Sequence, residues 1–372
     1  MVKAIRKVLF LCYYLIYRIY IPILLNRAWK GGQLKHLSRE DLLVWQDAML
    51  KMLREYSRAA YNYRMHHIIK AFACSEFEIV RKTEAPERRS PIVVLCVKND
   101  LKRIRMLVEH YRVLGVEKFA FMDNGSDDGT FEWLLEQPDI DLYRCFEHYR
   151  TAVKEGWINR LVSYYGLDRW YIVTDSDELV VYRGMEEHGI RELVSYAEKK
   201  GAVRLKALTL DTYPRDELFS SSDDIRSDYR FIDSDSYFEQ DVRAGTHTIG
   251  QFFGGPRYRL MGITVPLSKY PLCYFEKGTV SISAHFLFPH ELNNGVPCCL
   301  GILHYKFIDK DLLEFRKRAA SDSGFSSNGL HYRKMIDFLE NEKNVSFMYE
   351  GTVEFSDSGA LKGIRCIEEI AF

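Results

Sequence analysis

Apolar and polar positions fall along this chain in blocks that predict most of its elements. Residues 91–100, PIVVLCVKND, open behind Pro91 with an unbroken apolar run. That is the pattern of a strand covered on both faces. LKRIRMLVEHYRVL at 101–114 follows with helical spacing and stops at Gly115,. VEKFAFMD predicts a second strand that breaks into a turn-rich loop at Asp123,. A helix-like TFEWLLEQ, a short strand near residues 141–144, a helix around 154–167 and a strand at 170–174 complete the series. Strands alternating with helices predict an α/β fold with a largely parallel sheet. Right-handed crossovers then place the C-terminal strand ends on one edge, where such sheets bind ligands.

The flanks differ. Residues 38–73 have helical spacing, and Ser38 with Asp41 forms a capping-box pattern,. RKTEAPERRS at 81–90 is charged, contains Pro86 and is expected as a linker,. A C-terminal helical pattern covers 310–342. The expected organisation is a membrane-associated segment at 1–35, a helical segment and linker at 36–90, an α/β domain at 91–300 and a helical closing segment at 301–372. VLFLCYYLIYRIYIPILL at 8–25 has basic flanks but contains Arg18 and Pro22. It is marginal as a span and lacks an A-x-A-like cleavage site. The expectation is a helix dipping into or lying on a membrane surface through residues 1–30, against the alternative of a helix packed on the globular body.

Composition narrows the function. Lys plus Arg and Asp plus Glu each number 52, which argues against a nucleic-acid binder,. Hydrophobic residues make up 47% and charged residues 28%, as in a globular chain,. The eight cysteines show no metal-like spacing and are expected as reduced thiols,.

Three polar clusters fall at the predicted strand ends: Lys98-Asn99-Asp100, the loop from Asp123 to Asp128, and Asp175-Ser176-Asp177-Glu178. Crowded carboxylates repel one another and are costly to desolvate, so a positive partner is required. In extended chain Asp175 and Asp177 point to the same side and can reach one cation. Mg²⁺ or Mn²⁺ suits such oxygens and takes its other ligands from water and substrate phosphates.

Here the chain resembles glycosyltransferases of the GT-A fold, in the broad family-two-like group. More narrowly it is similar to bacterial enzymes with KND after the first strand, DNxSxDxT after the second and D-x-D-E after the fourth. The resemblance runs roughly over residues 91–310, through LDTYP at 210–214, GGPRYR at 254–259, KYPL at 269–272 and LHYKF at 303–307. It implies a nucleotide-sugar donor, UDP-linked by default. The apolar segment at the N-terminus is expected to hold the enzyme at the cytoplasmic face of a bacterial inner membrane, and that placement, rather than any motif, suits a saccharide or lipid-linked acceptor in cell-surface polysaccharide synthesis,. Lys98, Asn99, Asp100, Asp123, Asn124, Ser126, Asp128 and Asp175 would contact the donor nucleotide. Asp175, Asp177 and His304 would hold the metal. Arg257, Arg259 and Lys269 would face the diphosphate or acceptor.

An inverting transfer needs a general base, and Asp211 is the expected one among Asp211, Glu239, Asp241 and Glu291. Asp211 also reads as a turn residue before Tyr213-Pro214. Asp123-Asn124-Gly125 stands where many relatives carry a doubled acid, which leaves the nucleotide open. A second D-S-D, Asp233 to Asp235, is expected on a surface or acceptor-side loop. The rival readings are a metal-dependent nucleotidyl- or phosphotransferase, which lacks a P-loop motif here, and a non-catalytic binding protein.

Overall fold

Alternate residues of the first apolar strand feed two different cores. In this computed structural model, Val93, Leu95 and Val97 join one buried cluster, while Ile92 and Val94 join another. The structure describes residues 2–56, 59–320, 329–342 and 345–372. Part of the helical patterns at 38–73 and 310–342 therefore lies outside the described residues.

The strands are β1 (Glu78–Arg81), β2 (Ile92–Val97), β3 (Lys118–Asp123), β4 (Ile140–Arg144), β5 (Arg169–Val173), β6 (Glu178–Val181), β7 (Lys206–Asp211), β8 (Phe231–Asp233), β9 (Tyr237–Ala244), β10 (His247–Gly254), β11 (Ser268–Lys269), β12 (Leu272–Phe275), β13 (Val280–Ser283), β14 (Phe286–Phe288), β15 (Cys298–His304) and β16 (Thr352–Glu354). The helices are α1 (Val2–Lys30), α2 (Arg39–Glu55), α3 (Ala59–Cys74), α4 (Leu101–Val113), α5 (Thr130–Glu136), α6 (Thr151–Tyr165), α7 (Ile190–Lys199), α8 (Ile225–Asp228), α9 (Gly255–Met261), α10 (Asp309–Ala320) and α11 (Leu330–Asn341).

The main sheet has the order β1-β4-β3-β2-β5-β12. Its four inner strands are parallel, and both edge strands are antiparallel. This mixed α/β body with a mostly parallel central sheet matches the expected class. Because β2 is buried on both faces, its sequence is continuously apolar rather than alternating,. One face carries α4 and a second sheet, β11-β7-β15-β6. The other carries α6 and the N-terminal helices. The boundary expected at residue 300 falls inside β15, the strand between β6 and β7.

The N-terminal helices belong to the second core. Trp45, Met49 and Met52 of α2 and Ile68 and Phe72 of α3 are buried there. The predicted capping box holds: Ser38 and Asp41 cap each other at the start of α2. The 81–90 linker differs from expectation, because its first residue belongs to β1, which pairs with β4. Arg81 donates to four backbone carbonyls, and Thr83 donates twice to Asp141. Helix α1 divides along its length. Ile21, Leu25 and Ala28 are buried, whereas Leu15, Ile16, Ile19 and Ile23 are exposed. Among the described residues, no helix is long and apolar enough to cross a membrane.

Helices α3 and α6 cross at Gly156. A Cβ there would stand 2.5 Å from Ala71 Cβ and 2.5 Å from the Ile68 carbonyl. Backbone and a buried methyl cannot yield that distance without moving a helix. Gly156→Ala should therefore lower stability by about 1–3 kcal/mol, read from urea unfolding, with a larger loss for Val.

His110 on α4 is buried between β6 and α8. Its Nε2–H donates to the Val180 carbonyl at 2.7 Å, and Nδ1 accepts from Arg226 at 3.1 Å,. Burial lowers its pKa to about 4, and the Arg226 charge acts in the same direction. The unfolded chain takes up this proton near the ordinary value of about 6.5, and the folded chain does not. The contribution is complete above that value and is lost as pH falls towards 4. The urea midpoint should drop between pH 7 and pH 5, and His110→Gln should flatten that slope.

Candidate functional site

The parallel strands β2, β3 and β5 deliver the three polar clusters to one edge, as the sequence predicts. The first two clusters clasp each other. Asn99, at a φ of 52°, exchanges hydrogen bonds with Asp127 through its side chain and donates its backbone N–H to Ser126 Oγ at 2.9 Å. Asp100 N donates to Thr130 Oγ1, and Asp128 accepts from the Thr130 N–H and hydroxyl. Asn124 donates to the carbonyls of Cys145 and Glu147. Asp123 is fully buried, and its carboxylate accepts the N–H groups of Gly125 and Ser126. Of the residues expected on the nucleotide, Asn99, Asp100, Asp123, Asn124, Ser126 and Asp128 thus hold the loops in shape. Lys98 is exposed at the rim.

Asp175 and Asp177 do not lie in extended chain. Glu178 N donates to the Asp175 carbonyl, which makes residues 175–178 a turn. The two carboxylates therefore reach different partners. Asp175 meets the ammonium groups of Lys154 on α6 and Lys269 on β11, the latter at 3.1 Å. Burial pushes the Asp175 carboxyl up, but the two lysines outweigh it and hold it well below the usual range. Asp177 Oδ2 instead lies 3.3 Å from His304 Nε2.

Strand register brings His304 there. β15 pairs with β6 and with β7, so His304 stands opposite Glu178 on one side and Asp211 on the other. Ligating atoms of Asp177, Glu178 and His304 lie within 4.8 Å of one another. This set differs from the expected one: Glu178 takes the place of Asp175. His304 Nδ1 lies 2.7 Å from Asp211 Oδ1. Both ring nitrogens thus face carboxylates; a cation taking the place of the Nε2 proton would leave Nδ1–H on Asp211, and a carboxylate behind a histidine is a recurrent support for a metal ligand,. Two carboxylates and one imidazole fit a divalent cation such as Mn²⁺. Burial lowers the His304 pKa, but Asp177 and Asp211 raise it by more.

Asp211, the expected general base, is 1% exposed and ion-paired with Arg257 at 2.6 and 3.0 Å. Burial pushes its carboxyl up, yet Arg257 and His304 hold it well below the usual range. With both oxygens taken, it orients His304 rather than accepting a proton from an acceptor. Arg257 is correspondingly spent on Asp211. Gly254, which precedes α9 at a φ of 111°, passes close to the chain at Ser236, where a Cβ would stand 2.0 Å from the Ser236 carbonyl. Arg259 differs too: it grips Asp233 and the Phe347 carbonyl. Asp233 is fully buried against Arg259, Tyr213 and Ser236, so the second D-S-D is half core, with only Asp235 in the position expected of a surface loop. Lys269 lies in the site, shared by Asp175 and Glu178.

Several residues of the site carried no motif. Arg103 on α4 is buried between Asp100 and Asp311 and also donates to the Tyr305 carbonyl. Lys310 meets Asp100 from α10, and Ser176 donates to the same carboxylate. Lys154 is one lysine on an otherwise ordinary helix, and no spacing rule marks it. Glu178 was within the sequence cluster, but its alignment with His304 depends on pairing between distant strands. The cavity beside Asp175, lined by Lys154, Glu178, Lys269 and Ser281, is about 30 Å³, which is room for a water molecule,.

No family model matches the chain, and no curated protein matches it. Solved structures with some likeness include a mannosyltransferase, PcManGT from Pyrobaculum calidifontis, in complex with GDP-Man and Mn²⁺, at a TM-score of 0.24 and 14% identity over 42% of this chain and 45% of that one. The chain thus spans less than half the length of that enzyme. HddC from Yersinia pseudotuberculosis matches at a TM-score of 0.25 and 13% identity over 74% of this chain and 95% of that one. A UDP-glucose pyrophosphorylase complexed with UDP-glucose matches at 0.24 and 9% over 73% and 96%. Two of these three weak neighbours hold nucleotide sugars. At such scores the likeness carries no argument about what this chain binds.

The position of Asp211 generates a test. Asp211→Asn should weaken Mn²⁺ binding by about 10–100-fold, measured by titration calorimetry, because a neutral amide replaces the carboxylate that orients the His304 ring and pairs with Arg257,. Asp177→Asn should weaken it further. A general base would give the opposite pattern, with metal binding intact and turnover lost.

Proposed function

We propose that the chain is a metal-dependent glycosyltransferase that uses a nucleotide-sugar donor and a saccharide or lipid-linked acceptor. The observation that carries this reading is the meeting of Asp177, Glu178 and His304 at the C-terminal strand edge, beside Lys154 and Lys269. A divalent cation held by that set would supply charge against the diphosphate leaving group. Asp211 and Arg257 keep the His304 ring in place. Lys154 and Lys269 hold positive charge next to Asp175, at a position where phosphate oxygens could exchange with the carboxylate,. The clasped loops after β2 and β3 form the wall on the nucleotide side, with Lys98 at its rim. UDP is the donor class expected from the sequence resemblance. The exposed apolar side of α1, with Leu15, Ile16, Ile19 and Ile23, favours placement at a membrane surface,. A cytoplasmic-face location suits a lipid-linked acceptor in polysaccharide assembly.

The test is hydrolysis of a panel of nucleotide sugars with Mn²⁺, Mg²⁺ or EDTA. The wild type should release nucleotide slowly from one donor with metal, and EDTA should abolish it. Asp177→Asn and His304→Ala should each lower the rate by more than about 100-fold, beyond the usual effect of a group one step behind a ligand. If no donor binds with metal in parallel calorimetry, the reading fails.

A further inference from the structure

A second set of ligating side chains meets where the N-terminal helices touch the later half of the chain. Glu55 ends α2, His247 opens β10, and Glu291 lies in a 3-10 turn at His290–Asn293. Ligating atoms of the three lie within 4.8 Å of one another. His247 Nε2 stands 3.6 Å from Glu291 Oε2. Glu55 Oε2 is buried and has no hydrogen-bond partner. Burial raises the Glu55 pKa, and the charge of Glu291 raises it further, while His247 acts against both. Among the described residues, no lysine or arginine forms an ion pair with either carboxylate. Next to the group, His290 is fully buried: its Nε2 meets the Tyr56 hydroxyl, and its Nδ1 has no partner. Gly245 closes the set from the β9–β10 turn. A Cβ there would stand 3.3 Å from both Glu55 Oε2 and His290 Cδ2.

We propose that Glu55, His247 and Glu291 form a second divalent-cation site, of the zinc class, that ties the N-terminal helices to the β9–β10 hairpin. Two carboxylates and one imidazole meet here, and among the described residues no lysine or arginine forms an ion pair with either acid, although the Arg204 charge acts on Glu291 from further off. A doubly charged ion balances that pair, and the mixture of imidazole and carboxylate donors suits zinc. Three protein ligands leave a fourth position for water, and the half-exposed His247 and exposed Glu291 leave an entry path,. The ligands come from three segments far apart in sequence, so the unfolded chain does not present them together. Binding therefore favours the folded state. The proposal is independent of the glycosyltransferase reading, since it shares no ligand with the strand-end site.

The test uses the full-length protein carrying Asp177→Asn, which removes a ligand of the other cluster. Zn²⁺ is titrated into the metal-free protein against a chelating dye, with and without His247→Ala or Glu291→Gln. The background should bind zinc, and either added substitution should weaken it by at least about 10–100-fold. Zinc should raise the melting temperature of the background and leave that of the added variants unchanged. Both positions lie at the rim, so zinc-free melting should stay close to the background, which separates lost ligation from lost folding. Equal zinc affinity and an equal melting shift with and without His247 and Glu291 would overturn the proposal.

Discussion

The register of β15 between β6 and β7 is the constraint on which the candidate site depends. It sets Glu178, His304 and Asp211 in one row across three strands. Side chains alternate with a period of two along a strand, so a slip by one residue would turn His304 to the other face of the sheet. The Tyr305 N–H donates to the Asp177 carbonyl at 2.8 Å and fixes the next turn against the same strand. Asp211 and Arg257 then hold the imidazole from behind. The apolar side chains of β15, including Leu300 and Ile302, are buried in the core beneath it. Hydrophobic burial thus sets the position of this row of polar side chains.

Gathering carboxylates at one edge has an electrostatic cost, which is offset one group at a time. Asp100 has Arg103 and Lys310, Asp175 has Lys154 and Lys269, Asp177 has His304, and Asp211 has Arg257. These cations come from α4, α6, α9, α10, β11 and β15. Removing one partner of such a buried pair leaves an uncompensated charge, so the elements around the edge are locked to one another. Lys154 also links the site to the N-terminal helices. It sits on α6 two residues before Gly156, where α3 crosses at close range. Packing of α3 on α6 therefore bears on the charge beside Asp175.

The main strands and their order of appearance were legible in the sequence because a strand buried on both faces must be continuously apolar. The capping box at Ser38 and Asp41 was legible because its bonds are local. The gathering of KND, the Asp123 loop and DSDE at one edge followed from strand–helix alternation alone. β1 was missed because four residues at a sheet edge, two of them exposed, lack the apolar run that marks an inner strand. The expectation that Asp175 and Asp177 share one cation assumed extended chain. The turn at 175–178 sends them apart.

By itself the sequence determined the α/β class, the polar strand ends and the chemistry that crowded carboxylates demand. These depend on local periodicity and on the identity of neighbouring residues. Only the tertiary structure decided which acid stands beside His304, which cation neutralises which carboxylate, and that Asp211 is an orienting group. It also brought Glu55, His247 and Glu291 together. Those outcomes depend on pairing between strands and helices far apart in the chain. Such pairing is set by the burial of whole faces, and no spacing between residues in the sequence encodes it.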